Sequence, residues 1–90
     1  MLEFDWDVEN LTHIAEHGLA PEEIEFALTH QTLEIEFQDW HVSEERYSEI
    51  GMTQSGRILI IVTTLREWRL RVVTAYDASS RDAKEYLELR

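Results

Sequence analysis

Cysteine is absent from these 90 residues, proline occurs once and glycine three times. Without thiols the chain has neither a disulfide framework nor a thiolate metal site, which suits a cytoplasmic protein. Gly18, Gly51 and Gly56 stand apart from one another, so no glycine-rich loop is available to cradle a phosphate. No apolar run approaches membrane-spanning length, and no basic-then-apolar leader opens the chain, so a soluble protein with no membrane contact is expected. Repeats, linkers and low-complexity segments are missing too. Positive charge is scarce: eight Lys and Arg against nineteen Asp and Glu leave a formal charge of −11, and Lys84 is the single lysine. Such a field repels phosphate backbones at long range, which counts against a stand-alone nucleic-acid binder. Three readings remain: a local cluster of arginines, an acidic face for a basic partner, or charge kept for solubility. At 43% hydrophobic the composition is nevertheless that of a folding chain, and its length makes a single domain over residues 1–90.

The richest stretch is Arg57 to Tyr76. Ile58 to Thr64 is a long β-branched run, apolar nearly throughout, which predicts a central strand covered on both faces. Beyond it, alternation sets Trp68, Leu70, Val72 and Thr74 against Arg69, Arg71, Val73 and Ala75. Arg66-Glu67 lacks the glycine of a two-residue primed turn, so a longer loop is expected there. Ser55-Gly56 predicts a hairpin, with Arg46 to Gln54 as the partner strand. A two-residue turn pairs Met52 with Leu59, Ile50 with Ile61 and Glu49 with Val62. The simplest second register pairs Ile61 with Val72 and Val62 with Arg71. Ile50, Met52, Leu59, Ile61, Leu70 and Val72 then form a core face. Glu49, Gly51, Ile60, Val62, Arg71, Val73 and Ala75 take the other, where an acid and a base flank Val62. A one-residue slip in either turn exchanges the two faces.

Leu2 to Trp6 reads as an edge strand or docked extension. Asp7 caps a first helix with Val8, Leu11, Ile14 and Ala15 on one stripe and Gly18 as its stop. Pro21 opens a second helix, with Glu22 and Glu23 near its positive end, Ile24, Ala27 and Leu28 buried, and Phe26 off that stripe. Leu33, Ile35 and Phe37 alternate with Glu34, Glu36 and Gln38 as a strand; Gln38 to Glu45 is irregular, and Trp40 within it needs cover. Ser79-Ser80 and Asp82 start a last helix whose apolar side is Ala83, Tyr86, Leu87 and Leu89. The order β-α-α-β-β-β-β-α predicts an α+β domain, an antiparallel sheet of about four strands packed with three helices.

His13-Ile14-Ala15-Glu16-His17 has the H-x-x-E-H spelling of inverted zinc proteases, and histidines four apart share a helix face. A catalytic zinc needs a further ligand and a cleft, and His17 directly before Gly18 is well placed for the helix dipole. Capping and surface roles are therefore preferred, and neither a metal nor a cofactor is expected. No nucleophile set involving serine emerges. What remains is a group on the sheet: Glu45, Arg46, Glu49, Arg57, Arg71, Thr74 and Tyr76. Metal-free RNA cleavage needs a proton acceptor for the 2′-hydroxyl and cations for the charged phosphorane. Arg supplies the second, and Glu, His or Tyr the first. The bland alternative is a Glu49–Arg71 cross-strand ion pair worth only about a few tenths of a kcal/mol.

Trp6-Asp7, Asn10 and the run from Leu11 to Glu23 resemble the opening of BrnT-like toxins, W-D…N…K/H-H-G-V followed by an E-E helix start. Glu45-Arg46-Tyr47, Ile50-Gly51, Gly56-Arg57, Leu59 and Val62 are similar to that family's E-R-x…I-G…G-R-x-L…V hairpin. Arg71-Val72-Val73-Thr74-Ala75, Ala78 and Tyr86 look like its R-I-I-S/T-A-R-x-A…Y ending. The resemblance implies a RelE-like fold, metal-independent ribonuclease activity and a cognate antitoxin of the ribbon-helix-helix type. Arg46 and Arg71 match positions that the pattern keeps as Arg, and Thr74 its Ser/Thr; the catalytic candidates are Arg71, Arg46, Glu49, Tyr76 and Thr74. Tyr76-Asp77 stands where the pattern often has Arg after Ala75, and helix bases are largely replaced by acids. These departures and the net charge motivate a second reading, a non-catalytic homologue that binds a basic protein partner. Self-association stays open.

Overall fold

The structure, a computed structural model, describes residues 3–35 and 45–89. Its elements follow the expected order: β1 (Phe4–Asp5), α1 (Val8–Glu16), α2 (Pro21–Thr29), β2 (Thr32–Ile35), β3 (Tyr47–Met52), β4 (Ile58–Arg66), β5 (Arg69–Asp77) and α3 (Ser80–Leu89). Leu2, the expected strand continuation through Glu36, Phe37 and Gln38, and Trp40 lie outside the described residues. The sheet corrects the expected strand count and polarity. It has five strands in the order β1-β5-β4-β3-β2, with β1 parallel to β5 and the other pairs antiparallel.

β4 is central because its apolar run has partners on both faces. On one side Ile14, Leu19, Ile24 and Ala27 from the α1–α2 segment cover Leu59, Ile61, Val72 and Ala75. On the other, Tyr86 of α3 packs with Ile50, Ile60 and Val62. Tyr86 also donates its hydroxyl to the Gln31 carbonyl at 2.8 Å, which fixes α3 to the entry of β2. Leu87 and Leu89, expected on the apolar side, are exposed. Phe26 stacks on the His30 ring, with centroids 3.9 Å apart.

Both hairpins differ from the sequence expectation. In the first, Thr53 N–H donates to the Arg57 carbonyl at 2.8 Å and Gly56 N–H donates to the Thr53 carbonyl at 3.0 Å. Gly56 takes φ +94°, so the loop has three residues and a glycine bulge, one more than a primed turn. Partners slide by one: Met52 faces Ile58, Ile50 faces Ile60 and Glu49 faces Ile61. The faces exchange accordingly, and Ile50 joins Ile60 and Val62 rather than Leu59 and Ile61.

The second hairpin closes with only two residues, Glu67 and Trp68, at φ +52° and +67°. Each non-glycine residue in the left-handed region costs about 1 kcal/mol. The ladder beneath them, Leu65 with Leu70 and Arg66 with Arg69, offsets that cost. Trp68 points away from the sheet at 95% exposure. A bulge follows: Val62 pairs with Thr74 but Thr63 pairs with Val72, leaving Val73 over. Strict alternation therefore breaks. Ile61 meets Ala75 and Arg71 meets Thr64, in place of the expected Val72 and Val62.

The bulge explains α1. Val8, Leu11 and Ala15 are exposed, and the buried positions are Ile14 and the polar Asn10. Asn10 donates its amide to the carbonyls of Asp5 at 2.8 Å and Val72 at 3.0 Å, and the His13 ring nitrogen lies 3.4 Å from the Val73 carbonyl. α1 presses Ile14 alone into the core and otherwise covers the edge of β5 where the short β1 gives out. Uncovered edge carbonyls would otherwise need other partners.

Candidate functional site

Two arginines, Arg71 of β5 and Arg57 just before β4, hold the two ends of α1. Asp7, the N-cap, accepts the Asn10 N–H at 3.2 Å while Asn10 Oδ1 accepts the Asp7 N–H at 2.8 Å. The same Asp7 carboxylate takes both terminal nitrogens of Arg71, at 2.9 and 3.1 Å. Asp5 at 3.7 Å and Glu9 at 3.8 Å complete the cluster around a guanidinium that is 6% exposed. Arg71 hydrogen bonding holds the Asp7 carboxyl below the usual carboxylate range, and the Asp7 bond raises the Arg71 pKa. At the other end, Gly18 at φ +69° stops the helix, and Arg57 donates to the freed carbonyls of His17 and Gly18. Arg57 also grips Asp77 through two bonds, at 2.6 and 3.1 Å, and pulls its carboxyl below the usual range.

The five catalytic candidates are scattered by this geometry. Arg71 is engaged by three carboxylates. Arg46 is half-buried just before β3; extending the Tyr47–Thr63 pairing by one residue sets it level with Thr64, which Arg71 meets from the other side. Glu49 is not an ion-pair partner of Arg71. It faces Glu34 across the β2–β3 ladder and lines a hollow of about 450 Å³ with Thr32, Glu34, Tyr47, Thr63, Leu65 and Leu70. Tyr47 donates to the Glu45 carboxylate at 3.0 Å, which raises its pKa. Thr74 is half-buried opposite Val62.

Tyr76 is placed differently. Its ring centre lies 6.2 Å from that of His17, an exposed residue in the cap of α1, beside the Arg57–Asp77 pair. Imidazole, phenol, guanidinium and carboxylate therefore meet where the end of α1 crosses the end of β5. No single motif announced this group. The usable signals were Gly18 fixing the helix end and opposite charges at Arg57 and Asp77 flanking the hairpin. Among the described residues, no group of three or more His, Asp or Glu is arranged to hold a metal ion. No helix among them is long and apolar enough to cross a membrane.

Residues 6–82 match the family model of BrnT, the ribonuclease toxin of type II toxin–antitoxin systems. The chain belongs to this family. It is accordingly the toxin component of a type II toxin–antitoxin pair, and an antitoxin is its partner. No curated protein matches the chain. Within the matched span, Asn10 and Arg71 have a role in the fold itself, since they fasten the start of α1 to the sheet.

Proposed function

We propose that this toxin cleaves RNA without a metal at the junction of α1 and β5, with His17 and Tyr76 moving protons and Arg57 supplying positive charge. The observation that carries the reading is the approach of Tyr76 to an exposed imidazole beside a guanidinium. Histidine is the side chain suited to exchange a proton near neutral pH. It can take the 2′-hydroxyl proton, Tyr76 can protonate the leaving 5′-oxygen, and Arg57 can offset charge on the phosphorane. Arg71 then serves the junction from a distance by keeping α1 in place. Arg46, just before β3, and Thr74 of β5 support the same strands. The fold corresponds to a RelE-like domain, the setting is the cytoplasm, and the antitoxin is of the ribbon-helix-helix type.

The test is incubation of purified protein with single-stranded RNA in EDTA, reading for fragments that end in a 2′,3′-cyclic phosphate. His17→Ala should slow cleavage about a hundredfold or more without changing the unfolding midpoint. Folded protein that leaves RNA intact would sink this reading. A second reading then takes over, a non-catalytic member that acts by binding a basic partner. It is favoured by the hollow carrying Glu34 directly opposite Glu49 beside exposed Leu65, because like charges placed opposite one another destabilise a sheet until a cation answers them.

A further inference from the structure

The β4–β5 tip is at odds with the rest of the surface. Trp68 is 95% exposed, and Arg66 and Arg69 face each other directly across the ladder. Arg69 has a loose contact with Glu67 at 3.8 Å, and Arg66 has no ion-pair partner among the described residues. Glu67 and Trp68 both sit in the left-handed region that glycine would occupy without strain. The positive φ values are those a two-residue hairpin turn requires, but an aromatic face held in water and two arginines placed opposite one another have no packing explanation. On a chain of charge −11, they form a local cationic spot with a flat π-surface.

We propose that this tip is a single-stranded RNA contact, on which Trp68 stacks a base while Arg66 and Arg69 hold neighbouring phosphates. Stacking tolerates any base, and the paired guanidiniums gain an anion between them. The inference rests on RNA being the substrate and adds a binding subsite to it. At about 3.3 Å per residue, Trp68 lies roughly 26 Å along β5 from Tyr76. The tip therefore touches no reacting atom, and only an RNA long enough to span that distance benefits from it.

The experiment titrates the full-length protein into a fluorescein-labelled, 2′-O-methylated oligouridylate of about a dozen nucleotides in EDTA, following anisotropy at several salt concentrations. Methylation blocks cleavage, so binding is read alone. Trp68→Ala is expected to weaken binding about tenfold or more at every salt concentration. Arg66→Ala should lower the salt slope by about 0.7. Trp68→Gly relieves the left-handed backbone, so it should raise the thermal midpoint while still weakening binding; a purely structural tip would leave binding alone. Wild-type affinity in Trp68→Ala overturns the proposal, as does a wild type that fails to bind the oligomer. A loss confined to titrations with the cognate antitoxin also overturns it and makes the tip a protein contact. A wild type that binds the oligomer but leaves unmodified RNA uncut removes the cleavage reading and retains the tip.

Discussion

Replacing Arg71 by alanine separates a residue that builds the fold from one reserved for phosphate. The substitution deletes two charge-assisted hydrogen bonds to Asp7 from a guanidinium that is 6% exposed. Asp7 is 48% exposed and recovers part of that by rehydration, whereas Asp5, 16% exposed, is left among carboxylates without its cation. The buried methylenes of the arginine stem add about 2 kcal/mol of lost burial. A net loss of about 3 kcal/mol follows, against roughly 5–12 kcal/mol for a domain of this size. With a urea slope of about 1 kcal/mol per molar, the unfolding midpoint should fall by about 3 M. Arg71→Lys keeps the charge but not the two-pronged grip, so it should recover about half of the loss. The assay is urea unfolding followed by circular dichroism. A midpoint within about 0.5 M of wild type would refute the assignment, and lost toxicity alongside it would return Arg71 to the phosphate.

Asn10→Ala removes the donor to the Asp5 and Val72 carbonyls and should cost about 2–4 kcal/mol, read as a lower urea midpoint with increased amide exchange along β5. Gly51→Ala would put a methyl 3.2 Å from the Ala27 side chain and carbonyl, so β3 and α2 must part; a fall of about 1–2 kcal/mol is expected in thermal unfolding. Asp7 and Asp77 are both held below their ordinary range by arginine hydrogen bonds, so what they add to stability is complete above the unfolded carboxylate pKa of about 3.9 and lost as pH falls through their folded values. Midpoints should stay level from neutral pH to about 5 and drop below that, more gently in Asp77→Asn; a drop already under way between about pH 7 and 6 would contradict the assignment.

Element order, helix boundaries and the central strand were settled by local chemistry. Asp7 reads as a cap from its own side chain, Gly18 as a stop from its freedom at φ +69°, and Ile58–Thr64 as doubly covered from its own composition. The family motifs were legible for the same reason, being short runs of fixed spelling. Register was not, because one residue in the Thr53–Arg57 loop and one at the Val73 bulge decide it, and each inverts every side chain beyond it. The partners of the arginines were hidden too. Asp7 and Arg71 are 64 positions apart, Arg57 and Asp77 twenty, and nothing local to any of them reveals which charge it will meet. Only folding, by laying α1 along the β5 edge, brought the cations to the helix ends and set His17 beside Tyr76.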